Sequence, residues 1–130
     1  MAKARLGKEI WIETKDEVGK LAKICGPLAE KRLNLLGLCA WAEEGTAKVL
    51  LIAEDEAKVS ETLKSAGLAG TVKEVILVEC DNKPGTLLEI AQKLGKNNIG
   101  IHACYATASG GKSLVVLATA DNKKALGVLG

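Results

Sequence analysis

The residues best suited to chemistry form a short polar run, Asp81-Asn82-Lys83-Pro84-Gly85-Thr86, between the apolar residues 75–80 and an amphipathic stretch opening at Leu87. Pro84 fits the first turn of a helix, because its missing N–H is one that goes unpaired there. Gly85 lacks the Cβ that would hold another group away from the backbone. The run therefore predicts a strand, a tight loop and a helix whose N-terminus is left open. Unpaired N–H groups and the positive end of the helix dipole suit a carboxylate or a phosphate. The competing structural reading is that Asp81 and Asn82 cap the helix and Gly85 only permits the turn.

The other reactive residues offer less. Cys25, Cys39, Cys80 and Cys104 lack the close paired spacing of a zinc site, and each lies in an apolar segment, so buried, reduced thiols are expected. His102 and Cys104, two apart on a predicted strand, would share a face, but two ligands do not make a metal site. No Ser, Cys or His stands beside an evident base and orienting group, and no cofactor is expected. The formal net charge is only +2, and there is one Tyr, two Trp and no Phe. Nucleic-acid binding would ask for a concentrated basic surface or stacking rings, so it is not expected. The sequence has no apolar run of the ~18–20 residues that span a bilayer and no signal-peptide core after the charged residues 1–8, which leads us to expect a cytoplasmic protein.

The elements that position the polar run occur twice. Sliding the sequence by 66 residues aligns 8–64 with 74–130 without a gap, pairing Ile10 with Ile76, Gly19 with Gly85, Ile24 with Ile90 and Leu28 with Leu94. Gly45 meets Gly111, Val49 meets Val115, Leu51 meets Leu117, Asp55 meets Asp121 and Leu63 meets Leu129. Coincidence of apolar spacing with turn glycines marks an internal repeat. In the first copy, 9–14 alternates as a strand, and Leu21, Ile24, Cys25 and Leu28 recur at helical spacing. Pro27 predicts a bend near residues 23–27. Residues 34–42 and 47–53 predict a hairpin, and Asp55 caps a second helix carrying Val59 and Leu63. A fourth strand is drawn at 68–72. The second copy repeats this order through Asp121 and its final helix, where the chain stops.

Strand, D-N-K-P-G loop, a helix with Leu87, Ile90 and Leu94, then Asn98 and Ile99 opening the next strand: this pattern resembles the ACT domain. The first copy matches at Gly19, Leu21, Ile24, Leu28, Asn34 and Leu35, and departs with Val18 for Pro84 and Glu17 for Lys83. The resemblance covers nearly the whole chain and implies an α+β fold of two ferredoxin-like βαββαβ units with antiparallel sheets, the second lacking its last strand. The units are drawn at 1–72 and 73–130.

It further implies a regulatory or sensor module, not an enzyme, that binds an amino acid or similar small molecule at the strand–helix loop where two ACT units meet. The implied site comprises Asp81, Asn82, Lys83, Pro84, Gly85, Thr86 and Leu87, with Asn34, Gly19 and Asn98. A ligand carboxylate would accept from the N–H groups of Gly85, Thr86 and Leu87, and its ammonium would use Asp81, Asn82 or an Asn34 side chain from the facing unit. A regulated enzyme is an expected partner. The other readings are a small ferredoxin-like enzyme such as an acyl phosphatase, and a purely structural module. The only arginines are Arg5 and Arg32, neither in the second-copy loop, which counts against a phosphatase. The second copy ends without a strand beside 75–80, and an open edge seeks a partner. A homodimer or larger homo-oligomer is therefore expected, with a segment such as 4–10 filling the gap.

Overall fold

The computed structural model describes residues 2–130, in two compact units. One comprises Lys8–Lys73; the other joins Glu74–Gly130 to the residues that precede Lys8. In chain order the elements are β1 (Lys3–Lys15), α1 (Lys20–Glu30), β2 (Leu35–Glu43), β3 (Thr46–Ala53) and α2 (Glu56–Ser65), then β4 (Thr71–Asp81), α3 (Thr86–Lys96), β5 (Ile101–Ser109), β6 (Lys112–Thr119) and α4 (Asn122–Leu129). The strands follow the antiparallel order β2-β3-β1-β4-β6-β5. No helix among the described residues is long and apolar enough to cross a membrane.

The repeat in the sequence is a repeat in register. Ile10 lies opposite Leu51 and Ala40 opposite Val49; 66 residues on, Ile76 lies opposite Leu117 and Ala106 opposite Val115. Even the irregularities repeat, with one register shift between Leu35 and Gly37 and another between Ile101 and Ala103. In the unit of Lys8–Lys73 the core is Ile10, Ile12, Ile24, Leu28, Val49, Leu51, Val59 and Leu63. Every one has its 66-residue counterpart in the core of the other unit, where Ile76, Val78, Ile90, Leu94, Val115, Leu117, Ala125 and Leu129 are joined by Cys80 and Ile99. Burial of one such Leu or Ile contributes about 1.5–3 kcal/mol, so these positions fix which face of each strand and helix turns inward.

Helix ends follow a second repeated rule. Asp55 and Asp121 cap α2 and α4 by accepting from the N–H groups of Lys58 and Lys124 at 3.2 and 3.0 Å, as the sequence predicts. After α3, Asn98 adopts φ 55°, its N–H donates to Gly95 and that of Ile99 to Leu94, which completes a Schellman motif. Arg32 and Leu33 do the same after α1, and Gly67 and Leu68 after α2. Leu68 thus belongs to the end of a helix, and the strand expected at 68–72 begins only at Thr71. Pro27 lies inside α1 without ending it.

β1 spans 13 residues and β4 spans 11, long enough for the opening residues of each to group with one unit and the remainder with the other. Residues 3–7 provide the strand beside β4 that the contiguous second repeat lacks, and Ala4 packs on that unit's core. β4 is therefore not an open edge, and the outer strands are β2 and β5.

Of the four thiols expected to be buried, only Cys80 is; Cys25 and Cys39 are half-buried and Cys104 is exposed. Cys104 lies on β5, an outer strand with a sheet neighbour on one side only, yet partial desolvation still raises its thiol pKa. The register shift beside His102 also breaks the alternation that would have paired its face with that of Cys104.

Gly70 is the glycine of the unit of Lys8–Lys73 at which an added Cβ would be crowded. A Cβ there would fall 2.7 Å from the carbonyl oxygen of Trp11 and 2.9 Å from Cγ2 of Ile10. Backbone cannot yield as a side-chain tip can, so Gly70→Ala should lower stability by about 1–3 kcal/mol. A lower urea midpoint with an unchanged slope is the expected result.

Candidate functional site

Thr86 donates its N–H to the Lys83 carbonyl at 3.3 Å, and between them Gly85 holds φ 90° and ψ −12°. Proline at the second position and a positive-φ glycine at the third define a type II turn. Pro84 therefore precedes the helix instead of opening its first turn, and the negative φ that a helix start would give Gly85 is not observed. The tetrapeptide Lys83-Pro84-Gly85-Thr86 carries the type II signature in its residue types, so this geometry was legible in the sequence. The first repeat forms the same turn, with Lys20 donating to Glu17 at 3.1 Å and Gly19 at φ 84°. Val18 in place of Pro84 leaves the turn type unchanged.

Each turn delivers the chain into a helix that no side chain caps, in contrast to the aspartate-capped α2 and α4. In α3 the N–H groups of Leu87 and Leu88 have no carbonyl of the helix before them to bond, and the two residues are 50% and 58% exposed. Thr86 N–H is already engaged in the turn, so it is not available in the way the sequence reading supposed.

Asn82 and Asp81 do not cap α3. Asn82 donates its backbone N–H to Gly111 at 2.9 Å and its side-chain amide to Gly110 at 3.0 Å, pinning the loop to the β5–β6 turn. Asp16, its counterpart, donates its N–H to Gly45 in the same way. Asp81 accepts from Lys112 Nζ at 3.0 Å, so its carboxylate is already paired with an ammonium group.

Between this loop, α3 and the sheet lies a hollow of about 250 Å³, lined on one side by Asp81, Asn82, Lys83, Thr86 and Leu87. The opposite wall is Ala106, Thr107 and Ala108 of β5 with Ser113 and Val115 of β6. Sequence reasoning missed this wall; the signal for it was the alternation of β5 beyond its register shift, which turns Ala106 and Ala108 to the same side as Val115. Ser113 Oγ donates to the Thr107 carbonyl at 3.0 Å. The Thr86 hydroxyl oxygen is shielded from solvent and has no hydrogen-bond partner among the described residues.

The first repeat has a matching hollow of about 300 Å³, lined by Asp16, Glu17, Gly19, Lys20 and Leu21 opposite Ala40, Trp41 and Ala42. Here Lys20 replaces Thr86, and its ammonium lies 2.9 Å from Glu17, which also meets Lys23 at 3.1 Å. Hydrogen bonds from Lys20 first and Lys23 second hold the Glu17 carboxyl below its ordinary pKa. The ion cluster therefore survives below the usual carboxylate range and is lost only as pH falls through that lowered value.

Two expected site residues lie elsewhere. Asn34 donates to Glu54 at 3.0 Å and accepts the Glu54 backbone N–H, at the end of its unit away from the Gly19 turn. Asn98 closes the C-terminal end of α3, one helix length from Gly85. The local pattern that made both asparagines prominent is the demand of helix endings and strand starts.

The profile of the ACT domain pair matches residues 6–129. The chain belongs to the ACT domain family. Among solved structures, this ACT pair is similar to a Bacteroides thetaiotaomicron protein at 25% identity and a TM-score of 0.90, over 97% of this chain and 88% of that one. The regulatory subunit of aspartate kinase from Thermus thermophilus shares the fold at 14% identity, with a TM-score of 0.71 over 98% and 93%. That from Thermus flavus does so at 16% identity, with a TM-score of 0.66 over 98% and 94%. Among curated proteins none matches.

The positive φ decides what Gly85→Ala will do. A Cβ at Gly85 would meet nothing within 4 Å, so the cost is in the backbone and not in crowding. An L-residue in this region costs about 1–2 kcal/mol, and Gly85→Ala should lose that much stability in a denaturant titration even without ligand. Unchanged stability would mean that the turn has another conformation.

Proposed function

We propose that this ACT pair is a cytoplasmic regulatory module that acts by binding, not catalysis, taking an amino acid or a similar small polar molecule at the strand–turn–helix loop and passing the change to a partner enzyme. The observation that carries the reading is the contrast among the four helix starts. α2 and α4 are closed by their own aspartates, whereas α1 and α3 open without a cap onto hollows of a size suited to a small molecule. Helix N–H groups favour an anionic group there, and the α-carboxylate of an amino acid is such a group. Family membership supports the regulatory half, since the solved structures that share the fold include regulatory subunits of aspartate kinase.

Self-association belongs to the same proposal, on grounds other than an unpaired β4. β2 and β5 are the outer strands, and they expose Leu36, Leu38 and Trp41 on one and Ile101 on the other. Apolar outer strands with unpaired backbone groups favour pairing with another copy.

A thermal-shift screen with each of the twenty amino acids tests the reading. Binding to the folded state alone raises stability by ~2.7 kcal/mol at a hundredfold excess over Kd, so one or a few amino acids should shift the melting temperature by several degrees. Sedimentation of the same samples at micromolar concentration should show a dimer or larger species. No shift with any amino acid would refute the ligand reading, and a monomer throughout would refute the assembly.

A further inference from the structure

The alternation of β1 gives the unit of Lys8–Lys73 a second hollow, on the face of its sheet away from the helices. Ile10 and Ile12 point into the core with Ile24 and Leu28 of α1, so Trp11 and Glu13, which alternate with them, lie on the opposite face. There they line an open hollow of about 400 Å³ with Ala69, Gly70, Thr71 and Lys73, larger than either hollow at a turn. We propose that this hollow is a further binding site, separate from the strand–turn–helix loop, and that it takes a small dipolar ion such as a free amino acid, with its anionic end on Lys73 and its cationic end on Glu13.

The charges set this hollow apart. Lys73 holds its ammonium 3.7 Å from the centroid of the Trp11 ring, and the side chains of Lys73 and Glu13 have no ion-pair or hydrogen-bond partner among the described residues. Lys48 stands opposite Glu13 in register without pairing with it. Beside α1 the charges answer one another instead, with Lys20 and Lys23 both on Glu17. A dipolar ligand there must break existing pairs, whereas beside Trp11 it supplies the missing ones, as charge-assisted hydrogen bonds.

The walls are also held in advance of any ligand. Gly70 is seated against the Trp11 carbonyl, where a Cβ would fall at 2.7 Å, and the helix ending at Gly67 and Leu68 fixes the chain just before it. The Trp11 ring holds the Lys73 ammonium by a cation–π contact, so the long side chain is already ordered and less freedom is lost on binding. Leu77, the 66-residue counterpart of Trp11, is buried at 2% exposure, so the aromatic wall belongs to the first repeat alone.

Two-dimensional amide NMR of the labelled full chain, titrated with each of the twenty amino acids, tests the site. With at least one of them the amides of Trp11, Glu13, Thr71 and Lys73 should move and saturate. Lys73→Met and Glu13→Gln, both at exposed positions and so expected to fold, should each weaken the binding read at the Trp11 amide by about tenfold. Lys73→Arg keeps the charge and the stacking on the ring, and should retain most of the affinity. Acetate, a carboxylate without an ammonium group, should bind more weakly than the amino acid. No saturable movement at these four amides, or equal affinity in Lys73→Met, would overturn the site. Equal affinity in Glu13→Gln, or acetate binding as tightly as the amino acid, would overturn its dipolar ligand. Movement of the 86–88 amides with these four still would overturn this site and leave the loop reading standing; the reverse would do the opposite.

Discussion

A backbone angle sets the geometry of the candidate site. Gly85 at φ 90° turns the chain through a type II turn, and α3 can begin only where that turn ends. From this follow the direction of the first N–H groups of α3, the placement of Thr86 against the β5–β6 wall and the distance from the loop to Asp81. The loop is held by two bonds to the β5–β6 turn, through the backbone and the side chain of Asn82. A φ of 90° is costly for a residue with a Cβ, least so for Asn or Asp, so the position admits little substitution whatever ligand binds.

The same turn occurs at Gly19, yet the chemistry around it differs because a few side chains differ. Lys20 and Glu17 form an ion pair where the second repeat has Thr86 and Lys83. Internal repetition thus provides its own comparison: backbone and core are held constant while the wall of the hollow varies. Each of the eight apolar positions in the first core recurs 66 residues on in the second, although the loop residues differ.

Much of this was legible in the sequence, because periodicity reports which face is buried. Ile10 and Ile12, Ile24 and Leu28, and Val59 and Leu63 declare their elements and their common core through spacing alone. Asp55 and Asp121 announce their helices through cap chemistry. What escaped depends on partners distant in the chain. Within its own unit Asn34 is tied to Glu54, and Asn98 closes a helix, contacts that the short-range pattern does not announce. Asp81 looked available until Lys112, 31 residues on, came within 3.0 Å. The grouping of residues 2–7 with Glu74–Gly130 follows from pairing beside β4, which no local pattern encodes. Cys104 was misjudged as buried because an apolar segment on an outer strand reads the same as one in the middle of a sheet.

The central claim is that a small ligand enters at the loop of the second repeat. Two-dimensional amide NMR of the isotopically labelled chain, titrated with the amino acid that gives the largest thermal shift, tests this most directly. The account predicts that the amides of Thr86, Leu87 and Leu88, together with Ala106, Thr107 and Ala108 across the hollow, move progressively and saturate. Saturating shifts confined to other residues, with the amides of 82–88 unmoved, would contradict it.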